Sequence, residues 1–224
     1  MLNYWLQFEE LHPAIYHDVS HHPNFSSLNT FLEASPWAGR LILNNPAIYL
    51  THFLNVNWEL PLDLTSLTIQ SDNEAVASIS LRQTRNQLLI KMGYRDINQR
   101  DTILIINRDL TLIADFFCEQ ALKLAYAFTE KNHEPPKDSN DQPIYPYIIG
   151  MGKMGGFELN FSSDIDLIFG YTGDDSHFFH KVARKFIHLL HTNTEDGFVY
   201  RVDLRLRPFG SSGPIALSSQ AMVN

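Results

Sequence analysis

At 224 residues, 44% of them hydrophobic, the chain can bury a core, and its length fits one large or two small domains. Its first residues include Glu9 and Glu10 and lack a basic segment before an apolar run, so no secretory signal is expected. No apolar stretch approaches the roughly 20 residues of a membrane span, so no membrane partner is expected. The single cysteine, Cys118, excludes an internal disulfide and fits a reducing compartment, which predicts a cytoplasmic protein and a buried helix position for Cys118.

The net charge of −8 is unevenly distributed along the chain. Residues 1–143 contain 10 Lys and Arg against 17 Asp and Glu, net −7, whereas residues 144–224 contain 7 against 8, net −1. An acidic protein repels a phosphate backbone, so nucleic acid is not expected as the main partner. An anionic ligand is expected in the less acidic part.

The first 130 residues show helical periodicity. Segments near 28–34, 36–56 and 73–92 have the pattern, and Pro36, Pro46 and Pro61 mark helix starts or breaks. The clearest helix face comprises Phe117, Ala121, Leu124, Ala125 and Phe128. The polar, proline-rich segment 132–143 has nothing to bury and is predicted to be a linker.

The sequence changes character after this segment. Residues 145–151 and 164–171 are predicted to be buried strands, 178–190 an amphipathic helix, and 198–207 a strand with one wet face. The order strand, helical turn, strand, helix, strand predicts a domain in which helices cover a sheet. An all-helical leader over 1–131 and a linker over 132–143 precede a domain over 144–224.

Asp164 and Asp166 are the first candidate site residues. In a strand, side chains two apart share a face at a spacing of about 6.7 Å, while Ile165 and Leu167 point to the core. Two neighbouring carboxylates repel each other unless a cation lies between them. Mg²⁺ prefers such oxygen-rich sites, so these aspartates are predicted metal ligands.

The predicted strand 198–207 adds a third carboxylate. Its alternation sends Val202, Leu204 and Leu206 inward and places four charged residues on the other face: Arg201, Asp203, Arg205 and Arg207. Arginine's planar fork suits phosphate oxygens, so this face is predicted to hold a metal together with a phosphate-bearing ligand. The alternative is a salt-bridge ladder on a half-exposed edge strand.

The glycine-rich segment 150–156 follows the first predicted strand. Glycines at a strand end let backbone N–H groups approach a phosphate, and Lys153 adds a cation. The spacing fits neither a Walker motif nor a dinucleotide fingerprint. A plain glycine turn is the alternative interpretation.

Together, the glycine turn, the Asp-x-Asp strand and the later lone aspartate resemble the nucleotidyltransferase superfamily, which implies an α+β fold with a mixed sheet and helices after the helical leader. Residues 147–217 resemble one family within it, the bifunctional adenylyltransferase and adenylyl-removing enzyme of glutamine synthetase. The segments that carry the resemblance are GMGKMGGFELNFSSDIDLIF and DGFVYRVDLRLRPFGSSGPIALS, together with LRQTRNQLLIKMGYRDI upstream. The family carries two such domains in one chain, and the residues around Lys153, Glu158 and Ser163 resemble those of the first, deadenylylating domain. That domain continues into further helices in the family, so the chain is expected to be incomplete at its carboxyl end.

The resemblance implies phosphorolysis of AMP from a tyrosine of glutamine synthetase, with inorganic phosphate consumed and ADP released. It implies two Mg²⁺ ions, with Asp164 and Asp166 bridging them and Asp203 completing one site. The nucleotide and phosphate are then expected at Gly152, Lys153, Ser163, Arg205 and Arg207. It also implies an ATP- and ADP-binding multifunctional enzyme of nitrogen regulation, for which the PII signal protein is a further candidate partner.

Two alternatives remain open. The same three aspartates would serve adenylylation from ATP, and a shortened domain could bind a partner or nucleotide without turnover. The spacing of His17, His21 and His22 is less informative, because no cysteine or carboxylate pattern completes a metal site there.

Overall fold

The computed structural model describes residues 4–173 and 175–223. The helices are α1 (Tyr4–Leu11), α2 (Pro13–Ser20), α3 (Phe25–Ala34), α4 (Pro36–Asn44), α5 (Pro46–Asn55), α6 (Glu74–Ile97), α7 (Ile103–Glu130), α8 (Gly152–Gly155), α9 (Ser176–His191) and α10 (Ser219–Val223). The strands are β1 (Tyr147–Met151), β2 (Ile165–Tyr171), β3 (Val202–Asp203) and β4 (Ala216–Ser218). The chain is α+β with a mixed sheet, as predicted.

Prolines set the starts of two helices in the amino-terminal region. Pro36 and Pro46 are the first residues of α4 and α5, where a missing N–H costs nothing because the first helical N–H groups have no intrahelical partner. The predicted segment 36–56 is therefore two helices separated at Asn45. Pro61 starts no helix and lies in the irregular stretch after α5.

The structure divides into two compact units: Met1–Asp63 with Asn86–Asp109, and Leu64–Arg85 with Leu110–Asn224. This division differs from the predicted domains, because the unit boundaries fall inside α6 and α7 and the proline-rich segment 132–143 lies within the second unit. Side-chain contacts explain why the part of α7 from Leu110 onward belongs to the same unit as the sheet. The Thr111 hydroxyl accepts a hydrogen bond from the Leu159 N–H at 3.3 Å, and the Tyr126 ring meets the Phe178 ring edge-on at 5.3 Å.

The first unit has an aromatic core. The ring of Trp58 lies edge-on to Phe53 at 4.7 Å and to Tyr94 at 5.5 Å, and all three side chains are buried. The buried Arg95 pairs with Asp101 and donates to the carbonyls of the 58–60 segment. A buried guanidinium that donates from all three of its nitrogens holds this segment in place.

The second unit is built on the central strand β2. β1 pairs antiparallel along one edge of β2. The other edge is shared: β3 pairs parallel with its start and β4 parallel with its end. β2 is thus hydrogen-bonded on both sides, as expected for a strand rich in Ile, Leu and Phe.

Helices α7 and α9 supply the core of this unit. The predicted apolar face of α7 is confirmed, since Phe117, Ala121, Leu124, Ala125 and Phe128 are all buried. Cys118 is also buried in α7, as predicted.

On α9, Phe186 packs edge-on against Phe169 of β2 at 4.8 Å, and Phe179 stacks on Tyr171 at 4.4 Å. The predicted amphipathic helix over 178–190 is confirmed and begins two residues earlier. There the Asp175 carboxylate accepts from the His177 and Phe178 N–H groups and caps the helix. None of the helices in the described part of the chain is both long and apolar enough to cross a membrane.

Candidate functional site

The two aspartates predicted to bind a metal lie at the start of the central strand. β2 begins at Ile165, so Asp164 immediately precedes the strand and Asp166 is its second residue. Ile165 and Leu167 are fully buried, Asp166 is half-buried and Asp164 is exposed. The predicted register of this strand is confirmed: the apolar side chains enter the core and the carboxylates lie on the opposite side.

β3 brings the third aspartate to the first two. Ile165 pairs with Val202 and Asp166 with Asp203 in a parallel ladder. Paired residues of neighbouring strands lie about 5 Å apart and send their side chains to the same face. Asp166 and Asp203 are therefore neighbours on one face of the sheet.

The strand that carries Asp203 is much shorter than predicted. A strand was expected over 198–207, but β3 contains only two residues. The chain turns directly after Asp203, because the Arg205 N–H donates to the Asp203 carboxylate at 2.8 Å and the Arg207 N–H to the Leu204 carbonyl at 3.2 Å. Such local bonds offer the backbone an alternative to a ladder.

The turn changes which side chains are buried. Leu206 was predicted to point into the core, and this prediction is wrong: the side chain is 52% exposed. Leu204 is only half-buried. Since the alternation of a strand ends with the strand, Arg205 and Arg207 do not share one strand face with Asp203 as predicted.

Arginines neutralise the two outer aspartates. Arg201 forms an ion pair with Asp164 and donates to the Ser162 carbonyl at 2.8 Å. Arg205 contacts both carboxylate oxygens of Asp203, with its Nε 3.1 Å from Oδ1 and 2.8 Å from Oδ2. These hydrogen bonds lower the pKa of Asp203.

Asp166 is the carboxylate without such a partner, since no residue in the described ranges donates a hydrogen bond to it. Burial raises its pKa, and the charges of Asp203 and Asp164 act in the same direction while Arg205 opposes them. A half-buried carboxylate between two others is where an added cation would relieve most repulsion.

Gly152 leaves the space that Asp166 occupies. Met151 pairs with Asp166 across β1 and β2, and Gly152 follows with a positive φ of 53°. A Cβ at this position would lie 2.6 Å from the Asp166 carboxylate oxygen. Both the backbone conformation and the close approach therefore require glycine.

Lys153 and Ser163 have different surroundings. Lys153 is exposed on α8, and its side chain makes no ion pair with any residue that the structure describes. The Ser163 hydroxyl accepts from the Asn160 N–H at 3.1 Å and thereby shapes the turn that leads into β2. The roles predicted for Gly152, Lys153 and Ser163 in nucleotide binding stay predictions.

Three neighbouring carboxylates suit Mg²⁺, which takes oxygen ligands. Within the described ranges, however, no three His, Cys, Asp or Glu side chains converge closely enough to hold one ion. Asp164 and Asp203 are turned to their arginines instead. A metal held by all three aspartates would therefore have to displace an arginine from at least one of them.

Arg207 braces the loop beyond β3. Its guanidinium donates to the carbonyls of Leu204 at 2.7 Å, Gly213 at 3.1 Å and Pro214 at 3.2 Å. These bonds close the turn that carries the chain from β3 to β4. A role in holding phosphate would have to compete with them.

Arg82 anchors the segment that precedes β3, and sequence reasoning did not single it out. This arginine is fully buried. Its guanidinium donates to the Gly197 carbonyl at 2.8 Å, to the Thr192 carbonyl, and to the carbonyl and hydroxyl of Ser78. Burial lowers the pKa of Arg82, while the charge of Asp196 acts in the opposite direction.

Arg85 holds the next part of the same segment. Its guanidinium lies over the rings of Phe198 and Tyr200, 5.7 Å and 6.0 Å from their centroids. One feature of the sequence could have drawn attention to Arg82 and Arg85. Both lie beside the apolar residues of α6 that are buried, such as Ala77 and Leu81. A charged residue next to buried apolar residues needs polar partners, but the sequence does not name them.

Comparisons with known proteins show which family the chain belongs to. The family model described as glutamate-ammonia ligase adenylyltransferase matches residues 34–224. Three similar proteins are each named bifunctional glutamine synthetase adenylyltransferase/adenylyl-removing enzyme. They come from Shewanella woodyi (32% identity, 96% of this chain, 24% of the relative), Thioalkalivibrio sulfidiphilus (32%, 82% and 21%) and Neisseria meningitidis serogroup A (41%, 67% and 18%).

The chain therefore spans about a fifth to a quarter of the length of these relatives. The match to the family model covers most of the chain and includes the three aspartates. The chain belongs to the glutamate-ammonia ligase adenylyltransferase family.

Proposed function

We propose that this chain provides an adenylyl-removing site that acts on glutamine synthetase in the cytoplasm. In this reaction an oxygen of inorganic phosphate attacks the phosphorus of AMP attached to a tyrosine. The bond from phosphorus to the tyrosine oxygen breaks, ADP leaves, and the proton of hydrogen phosphate ends on the tyrosine oxygen. The resemblance of the segment around Lys153 and Ser163 to the deadenylylating domain supports this direction.

The observation that carries the proposal is the pairing of Asp166 with Asp203. Asp164 adjoins them, and Asp166 lacks a hydrogen-bond donor among the residues described. Three carboxylates gathered at the start of β2 and in β3 give a set of oxygen ligands, of which Asp166 has no arginine partner among the residues described. Such a set suits metal-assisted chemistry on a phosphodiester.

Asp164, Asp166 and Asp203 would hold Mg²⁺, one or two ions, and the bound metal would supply positive charge to phosphate oxygens and to the departing tyrosine oxygen. Phosphate is already an anionic nucleophile, so no general base is required. Arg205 is an exposed cation of the site, with 81% of its side chain open to solvent. It can turn from Asp203 towards a phosphate oxygen once another cation neutralises that carboxylate.

The glycine turn would hold the nucleotide. Gly152 allows the backbone to pass close to Asp166, and the next residue is Lys153, whose side chain is exposed. A phosphate bound here would lie within reach of both the carboxylates and a cation. This placement is consistent with ADP as the product.

The test is incubation of AMP-modified glutamine synthetase with the 224-residue chain, Mg²⁺ and phosphate, followed by detection of ADP. We expect ADP to form with the wild-type chain and not with Asp166→Asn. Arg40→Gln is the matched control for a change of surface charge, because Arg40 is exposed and distant in sequence from the aspartates. It is expected to behave as the wild type does.

A second reaction decides the direction. Unmodified glutamine synthetase with ATP and Mg²⁺ would yield pyrophosphate if the chain adenylylates its substrate. Pyrophosphate without ADP would overturn the proposed direction. Absence of both products, with a retained rise in melting temperature on adding ADP and Mg²⁺, would show a binding module without turnover.

A further inference from the structure

A cavity with a cationic lining lies beside α9. Its volume is about 380 Å³. Six of its lining residues can carry charge: Glu74, His133, Lys181, Arg184, Lys185 and His188. The size lies at the lower end of the range for small-molecule sites, about 300–1,000 Å³. We call it the α9 cavity.

The spacing on α9 explains why these cations lie together. Lys181 lies three and four residues before Arg184 and Lys185, and His188 lies four and three residues after them, so the four side chains share one face of the helix. The opposite face is the buried apolar one that packs on the sheet. Like charges four residues apart, such as Lys181 and Lys185, repel each other and cost stability unless a negative charge offsets them.

Glu74 offsets only part of this charge. Its carboxylate pairs with the Lys185 ammonium at 2.7 Å. The Lys181 ammonium lies 2.9 Å from Nε2 of the His133 imidazole and not beside a carboxylate. Arg184 forms no ion pair with any residue in the described part of the chain. Two cationic groups of the α9 cavity are thus not neutralised by a carboxylate.

The remaining wall suits an organic ligand. Phe128 and Thr129 of α7 are both at least nine-tenths buried and contribute an aromatic ring and a hydroxyl. The Thr129 hydroxyl donates to the Ala125 carbonyl at 2.7 Å, so its oxygen can still accept. Asn132 adds an amide at the rim.

We propose that the α9 cavity binds a small anion bearing a doubly charged oxyanion group, for which a phosphomonoester is the typical case. A phosphomonoester carries a charge of about −1.5 to −2 at neutral pH, which matches the two cations left without a carboxylate. The guanidinium of Arg184 presents a fork for two oxygens, and Lys181 supplies a point charge. A nucleic acid is a poorer fit, because the chain as a whole carries −8.

This second site is separate from the proposed function. The lining of the α9 cavity includes none of the three aspartates. Either can therefore fail while the other stands.

The experiment is a titration of the 224-residue chain with inorganic phosphate, read by NMR signals of the His133 and His188 imidazoles. Chloride at the same ionic strength and pH is the reference. Because both rings line the cavity, a bound dianion changes their chemical shifts. We expect saturable shifts in the wild-type chain. In Arg184→Gln we expect the dissociation constant for phosphate to rise roughly tenfold or more, because the variant loses a hydrogen bond between the guanidinium and the anion.

Two controls separate this site from others. Arg40→Gln makes the same chemical change at an exposed arginine outside the cavity and is expected to leave the titration unchanged. Asp166→Asn disables the proposed catalytic site and is also expected to leave it unchanged. The absence of saturable shifts in the wild-type chain would overturn the proposal. Shifts that persist in Arg184→Gln would do the same.

Discussion

The start of β2, with Asp164 before it, and the segment 201–207 both alternate charged and apolar residues, yet only β2 is a full strand. β2 has seven residues and is paired with β1 from Asp166 to Gly170, while β3 and β4 divide its other edge. The segment 201–207 is paired over two residues and then turns. The difference shows that alternation predicts the face of a side chain only where a partner strand keeps the backbone extended.

The two regions also hold their aspartates differently. Asp166 is fixed by a ladder on both sides of its strand. Asp203 depends on one short ladder, on its own arginine neighbour, and on Arg82 and Arg85 holding the chain before it. The sheet therefore positions Asp166, whereas the position of Asp203 depends also on side chains that hold the preceding loop.

The largest expected difference concerns the leucines of the two regions. Leu167→Ala should lower the free energy of unfolding by about 2–5 kcal/mol, because the side chain is fully buried. Leu206→Ala should change it by no more than about 0.5 kcal/mol, because that side chain is mostly exposed. Urea unfolding midpoints measure both. Equal losses would mean that 201–207 is a buried strand after all.

Loss of Arg82 tests the loop anchor. Arg82→Met should cost about 1–3 kcal/mol, since the partly buried carbonyls of Thr192 and Gly197 lose a donor. The change should also weaken the rise in melting temperature on adding Mg²⁺, because Asp203 lies on the released chain.

Arg82→Lys should recover part of the stability, and Arg40→Met should have little effect on either measurement. If Arg82→Met kept the full response to Mg²⁺, the segment before β3 would not depend on this anchor for the placement of Asp203.

Arg205 and Arg207 are expected to separate stability from activity. Arg207→Ala should lower the free energy of unfolding by about 1 kcal/mol, because the guanidinium donates hydrogen bonds to three loop carbonyls. Arg205→Ala should cost at most about 0.5 kcal/mol at its exposed position but lower phosphate-dependent turnover roughly tenfold or more. Unfolding midpoints and initial rates on the same two variants decide this. The reverse pattern would place Arg207 at the phosphate and Arg205 in a structural role.

The smallest expected effect is a difference in pH dependence between the aspartates, without metal. The raised pKa of Asp166 means that the folded chain holds this proton more tightly than the unfolded chain does. Its charge therefore costs stability as pH rises above the ordinary aspartate pKa of about 3.9, and Asp166→Asn should be more stable than wild type near neutrality.

Asp203 has the opposite sign. Its lowered pKa adds stability above the ordinary pKa, and this contribution is lost as pH falls through the folded-state pKa. Asp203→Asn should thus be less stable than wild type near neutrality and converge with it in acid. Melting temperatures of both variants across acid and neutral pH provide the measurement. Two curves displaced in the same direction would contradict the opposite environments of these carboxylates.

The elements that the sequence predicted well are those with local signals. The bounds of β2 and α9 were within two residues of the prediction, because buried apolar residues recur at the period of each element. The Asp164–Asp166 pair followed from the same period. The need for glycine at 152 became clear only when β1 placed it against Asp166.

The sequence by itself determined the α+β class, the family and the face of β2 that carries the carboxylates, because all of these depend on composition, periodicity and short motifs. Only the tertiary structure decided where the strand after Tyr200 ends and which arginine pairs with which aspartate. It also decided that Arg82 grips the loop before Asp203 and that helix α7 joins the unit of the sheet. These features depend on contacts between residues that are distant in sequence. The local pattern of a segment does not show which distant residue it will contact, so it does not predict them.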